Sequence, residues 1–292
     1  MDLTKIGLAF LGLLVLLLAA GCDKAGPEPA AIGSVKANAA FLEHFGEPPV
    51  PDQGTCYARV GYLPLAGEPA RVRAVPLFLF REGDQPSRLL ERLVTGDWEF
   101  APRSGLLNPF PPGSTVRITG QAGDRITIDL LLPATDGAAW DPAIMVAPLV
   151  ETALQFEEVK SVFITVGGVA LAATPADGFR HDPRRIAPAG PPRPIMAVGN
   201  WEEGENDPEE VLVNFDRPIT IQEFRLTDAA GREIRGEYFR TGFDMSVVVH
   251  PAVPGELREG MMLKVAWKVG DRLDRTSSGE ETFSLKRHDH EQ

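Results

Sequence analysis

A chain of 292 residues, 43% of them hydrophobic, has enough apolar material for a globular core, and its length points to two domains rather than one. The formal net charge is −12 with no basic run, which argues against nucleic acid as a partner, because phosphate contacts need clustered Lys and Arg. The same charge argues against electrostatic docking on anionic lipid.

The first feature in chain order is a targeting segment. Ile6 to Ala20 is an apolar run preceded by Lys5, too short for a comfortable membrane span and ending in small residues. It closes in Leu18-Ala19-Ala20-Gly21-Cys22. This resembles a bacterial lipoprotein signal, with Ala19 where such signals usually carry leucine. The resemblance implies that 1–21 is a signal peptide, that cleavage falls before Cys22, and that its thiol is lipidated. The protein would then be anchored to a bacterial membrane on its extracytoplasmic face without spanning it. Cys56 is then left without a disulfide partner and reads as a small core hydrophobe.

Residues 22–54 read as a tether broken by Pro27, Pro29, Pro48, Pro49 and Pro51. A short helix is expected at Asn38–Phe45, with Phe41, Leu42 and Phe45 on one face and His44 solvated. Strands are expected at Tyr57–Leu63 and Val72–Phe80. Pro76 marks the second as an edge or bulged strand, because it cannot donate to a ladder. A helix at Ser87–Thr95 has Leu89, Leu90 and Leu93 as its apolar stripe and Gly96 suited to its end. The loop that follows, Gly105 to Thr115, is apolar at Leu106, Leu107 and Phe110, where loops are normally polar. It is either a lid on the core or a partner-binding surface. Strands Thr115–Thr119 and Arg125–Leu132 flank a Gly123-Asp124 turn. Leu149–Gly168 then places Leu149, Ala153 and Phe156 at helical spacing before a β-branched strand, Val159–Val166, that ends in Gly167-Gly168. Pro148 belongs in a first turn or at a kink, since inside a helix it costs about 3 kcal/mol.

This order of parts resembles the GerMN domain of bacterial sporulation and spore-germination lipoproteins. The residues that carry the likeness are Leu89-Leu90-Glu91-Arg92-Leu93-Val94-Thr95-Gly96, the Pro111–Val116 loop, the Arg125–Leu130 strand, and the run from Val159 to Gly168. It covers about Cys56 to Val169 and implies a small α+β domain, 55–171, that acts as a protein–protein or assembly module.

Residues 172–194 read as an extended Pro-rich linker. Arg180, His181, Arg184 and Arg185 form its charge cluster, most simply solvated. Residues 195–286 look all-β, with strands at Glu210–Phe215, Ile221–Thr227, Glu233–Phe239, Met245–Val249, Met262–Val269 and Glu281–Lys286, and with Trp267 as a core anchor. Asn214–Ile219 and Leu257–Val269 resemble CopC-type copper-resistance domains, which are immunoglobulin-like sandwiches. Those domains bind copper through an Asp-x-His that has no counterpart here, since no His lies between His250 and His288. The fold is therefore expected and the metal is not. Residues 287–292, with His288 and His290, read as a tail, and the acidic run Glu202–Glu210 as a solvated loop.

No P-loop, G-x-G-x-x-G, G-x-S-x-G, H-E-x-x-H or C-x-x-C motif is present. The expected fold class is α+β: a small GerMN-like domain followed by an all-β, immunoglobulin-like sandwich. The expected function is a non-enzymatic binding or assembly protein of the bacterial cell envelope, linked to sporulation or germination. It needs no cofactor, is held to the membrane through lipidated Cys22, and binds a protein partner, with Leu106, Leu107 and Phe110 as candidate contacts. The alternatives are a periplasmic solute- or metal-binding lipoprotein and, behind it, an enzyme with an unrecognised site.

Overall fold

A computed structural model describes residues 33–96, 98, 100–134, 141, 143–202, 204–205, 207–240 and 243–289. Cys22, the signal peptide and the proline-rich stretch up to 32 lie outside the described residues, as does His290 of the tail.

The described chain begins with packed structure. Strand β1 (Ser34–Ala37) runs parallel to β2 (Thr55–Pro64), which pairs antiparallel with β3 (Val72–Leu79). Helix α1 (Ala39–Phe45) is capped by Asn38, whose Oδ1 accepts from the Phe41 amide at 3.0 Å. The helix expected at Asn38–Phe45 is present, and with β1 it packs on the sheet rather than standing free in a tether. Phe41 and Phe45, four residues apart, point the same way and are buried, while Leu42, about 100° further round, is turned outward and 37% exposed. Alternation sends the two faces of β2 into different cores. Tyr57 and Leu63 pack with helices on one side, and Ala58, Val60 and Tyr62 pack on α1 on the other. β3 is the sheet edge on which Pro76 can sit opposite Val60 without breaking a ladder.

Helix α2 (Gln85–Thr95) buries Leu89, Leu90 and Leu93. Gly96 follows it at φ −63°, so no left-handed cap forms; glycine is needed there because a Cβ would sit 2.6 Å from the Arg92 carbonyl oxygen. Strands β4 (Thr115–Ala122) and β5 (Arg125–Leu131) form the hairpin turned by Gly123 at φ +61°. β5 crosses over through α3 (Ala143–Leu154) to the parallel strand β6 (Ser161–Val166), and β7 (Val169–Ala170) folds back on it. Pro148 lies well inside α3 rather than in its first turn. Met145, Leu149, Val150 and Ala153 are all buried around it, and that burial offsets the lost hydrogen bond. Asp129 on β5 is buried and seals the β6–β7 turn, accepting from Thr165 Oγ1 at 2.6 Å and from the Gly168 amide at 2.8 Å. These bonds, with the Arg117 guanidinium beside it, hold its carboxyl below the usual range.

Residues 172–194 are laid along this module instead of spanning free. Phe179 exchanges two backbone hydrogen bonds with Val162 and enters the main core, and Ile186 bridges to Val72. Isolated apolar anchors of this kind leave no periodic trace in a sequence.

The C-terminal part is all strand: β8 (Pro194–Trp201), β9 (Glu210–Phe215), β10 (Thr220–Asp228), β11 (Gly236–Arg240), β12 (Ser246–Pro251), β13 (Met262–Gly270) and β14 (Thr276–Asp289). Their order is β10-β13-β14-β8-β9-β12-β11. β14 joins the two halves. Its first nine residues pair antiparallel with β13, and Leu285–Asp289 then pair parallel with β8. Residues 287–289 are thus strand rather than tail, because β8, which was not expected, offers them a partner. Trp201 fills the core, whereas Trp267 is only partly buried and packs against Gly279, where a Cβ would lie 2.8 Å from the indole.

Candidate functional site

Three candidate residues of the apolar loop can be placed directly. Leu106 is 1% exposed and Phe110 3% exposed, both in the core over α2 and β5, and Leu106 bridges to Leu65. Leu107 keeps a partly exposed side chain, and its amide donates to the Pro64 carbonyl at 2.9 Å. The loop is a core lid, which corrects Leu106 and Phe110 as partner contacts.

A different group of side chains converges on a cleft of about 670 Å³ between α1, β2, α3, the 181–189 segment and the β13–β14 turn. α3 contributes Glu151, whose side chain is fully buried. The crossing segment brings His181 to it, with Nδ1 at 2.7 Å from Glu151 Oε2. The Asp182 amide donates to the other carboxylate oxygen at 3.3 Å. Across the cleft, His44 Nε2 and the Tyr62 hydroxyl are hydrogen-bonded at 3.0 Å. Gln155 forms an inert wall: its amide nitrogen donates to the Val60 and Thr152 carbonyls, and its oxygen accepts from the Val60 amide and Asn38 Nδ2.

The last wall comes from the β-sheet part. Asp271 is buried and organises the β13–β14 turn. Its Oδ1 accepts from the Leu273 and Arg275 amides, and its Oδ2 from Arg275 Nε at 2.6 Å, with Arg217 Nη1 at 3.4 Å. Held this way, Arg275 donates from Nη2 to the His44 carbonyl at 2.7 Å, at the C-terminal end of α1. Gly46 makes that approach possible. It has φ +73°, and a Cβ there would fall 2.8 Å from Arg272 Cβ.

Burial dominates the electrostatics. It pushes the Glu151 carboxyl above its usual range against the opposing pull of His181. It pushes the His44 imidazole down and the Tyr62 hydroxyl up. Removing His181 leaves a buried carboxylate with one fewer donor. We expect His181→Ala to cost about 1 kcal/mol at pH 7.5, a modest figure because the ring is 56% exposed. The sign with pH follows from the raised Glu151 value. The deficit is a cost of ionisation, so it narrows as pH falls through the raised Glu151 value and the carboxyl takes up its proton. Urea denaturation of both proteins across that range measures it, and a deficit that widens at low pH would contradict the assignment.

Sequence reasoning set His44 and His181 aside as solvated. The available signal was Glu151, the one charged residue in the run Ala147–Ala153. Among the described residues, no group of three or more His, Cys, Asp and Glu is placed to hold a metal ion, and no helix is long and apolar enough to cross a membrane.

The fold defines the class first: an α+β module built on a parallel crossover, followed by a seven-stranded β part. Residues 62–172 match the family Germane, described as sporulation and spore germination, and the chain carries a domain of that family over this stretch. No curated protein matches the chain in sequence. Among solved structures it is similar to the first GerMN domain of the sporulation protein GerM from Bacillus subtilis, at 21% identity and TM-score 0.33, covering 43% of this chain and 93% of that one. The tandem GerMN domains of the same protein match at 20% identity and TM-score 0.33, covering 61% of this chain and 58% of that one. PcoC, a methionine-rich copper resistance protein from Escherichia coli, matches at 18% identity and TM-score 0.25, covering 34% of this chain and all of that one.

Proposed function

We propose that this chain is a non-enzymatic binding or assembly module of a bacterial cell envelope, lipid-anchored at Cys22 on the extracytoplasmic face and working in sporulation or germination. The observation that carries the reading is the Germane domain at 62–172, whose family description names that process and no reaction. The Ala19-Ala20-Gly21-Cys22 sequence supports the anchor. On this reading the C-terminal strands form an immunoglobulin-like sandwich that presents a surface and holds no copper.

Metabolic labelling with a fatty-acid probe tests the anchor. Wild type takes up label and sediments with membranes, and Cys22→Ser does neither. Equal labelling of the two ends the anchored reading. Crosslinking in the same membrane fraction recovers an envelope protein with the wild-type chain. Recovery of the chain alone would end the assembly reading.

A further inference from the structure

The cleft beside Glu151 is assembled from two parts of the fold, and its polar groups are only partly used. His181 spends Nδ1 on the buried carboxylate, which leaves Nε2 without a partner among the described residues. A histidine whose Nδ1–H is spent on a carboxylate has a fixed ring and tautomer and presents its second nitrogen outward as an acceptor. Arg275 spends Nε on Asp271 and Nη2 on the His44 carbonyl, which leaves Nη1 without a partner among the described residues. Both side chains line the same cavity. Arg275 lies close enough to His44 that its charge adds to the effect of burial in favouring the neutral ring.

We infer that this cleft is a binding site for a small monocarboxylate with a short, partly apolar body and an N–H or O–H group beside its carboxylate, seated with the carboxylate on Arg275 Nη1 and that donor on His181 Nε2. An oriented guanidinium favours a planar carboxylate. Arg275 is the one fixed cation of the lining and shares it with Glu43 and Glu151, an arrangement that disfavours a dianion such as phosphate. The rest of the wall, Leu154, Ile186 and Pro188, suits a short apolar body. The site goes beyond the anchored-module reading and stands whether or not Cys22 is lipidated, so the two can fail separately.

Histidine-ring NMR of the chain, titrated with N-acetyl-leucine, tests it. The His44 and His181 resonances should shift saturably while His250, on β12, stays still. N-acetyl-leucinamide, which lacks the carboxylate, should shift neither, and inorganic phosphate should bind more weakly than the carboxylate. Arg275→Gln should weaken binding at least about tenfold, the size of one lost charge-assisted hydrogen bond. Because Arg275→Gln also disturbs Asp271, His181→Asn provides a second variant. It keeps an N–H for Glu151, deletes Nε2 and should weaken binding with the fold intact. No saturable shift, an equal response to the amide, tighter binding of phosphate, or unchanged affinity in His181→Asn would each overturn the site.

Discussion

Asp271→Ala should cost about 3–5 kcal/mol, because it removes a buried carboxylate that accepts from two backbone amides and two guanidinium groups. Arg217 and Asp271 are both nearly fully buried, and Asp271 is the acceptor for four donors drawn from Arg217, Leu273 and Arg275. Arg217 keeps Asp216, at 2.9 Å and 3.0 Å, but loses its second carboxylate. The loss should extend beyond the turn. With Asp271 gone nothing fixes Arg275 against the His44 carbonyl, so the end of α1 loses its link to the β part. Urea denaturation of the chain measures the loss. Asp271→Asn retains an acceptor for the two turn amides and should fall between wild type and alanine. A cost under about 1 kcal/mol for Asp271→Ala would mean that this cluster does not organise the turn.

Phe41→Ala should cost about 3–5 kcal/mol, as for other fully buried aromatics cut to a methyl group. Phe41 is completely buried, with ring centroids 5.2 Å from Phe45 and 5.8 Å from Phe78. It ties α1 to the face of β2 and β3 that the larger core does not use. The experiment separates two pictures of the segment before β2. A solvated tether predicts a change within about 0.5 kcal/mol, as for an ordinary surface site. A packed helix predicts the large loss, visible both as a lower Tm and as a lower urea midpoint.

Local chemistry explains which elements were legible. The stripe Leu89, Leu90, Leu93 shows α2 because three leucines at helical spacing have no other economical arrangement. Ile126, Ile128 and Leu130 show β5 by alternation, and Gly123 marks its hairpin by tolerating positive φ. Phe179 and Ile186 illustrate the opposite case. Each is a single apolar anchor among prolines, and a single anchor has no period. Trp267 packs against the core and on Gly279 but stays only partly buried, so its size alone overstated its burial.

The cleft was the least legible feature. Glu151, His181, His44 and Arg275 come from four stretches of the chain, and nothing in the spacing of His44 and Arg275, 231 residues apart, predicts a bond. By itself the sequence determined the periodic elements, their order, the acidic surface charge and the likeness to a sporulation-domain family, because those depend on neighbours along the chain. Only the tertiary structure decided that residues 34–45 pack rather than tether, that Leu106 and Phe110 close a core, that β14 runs on to Asp289 beside β8, and that a buried carboxylate meets a histidine from the proline-rich segment. Each of these depends on burial and on partners distant in sequence, and long-range contacts of that kind leave no local pattern to read.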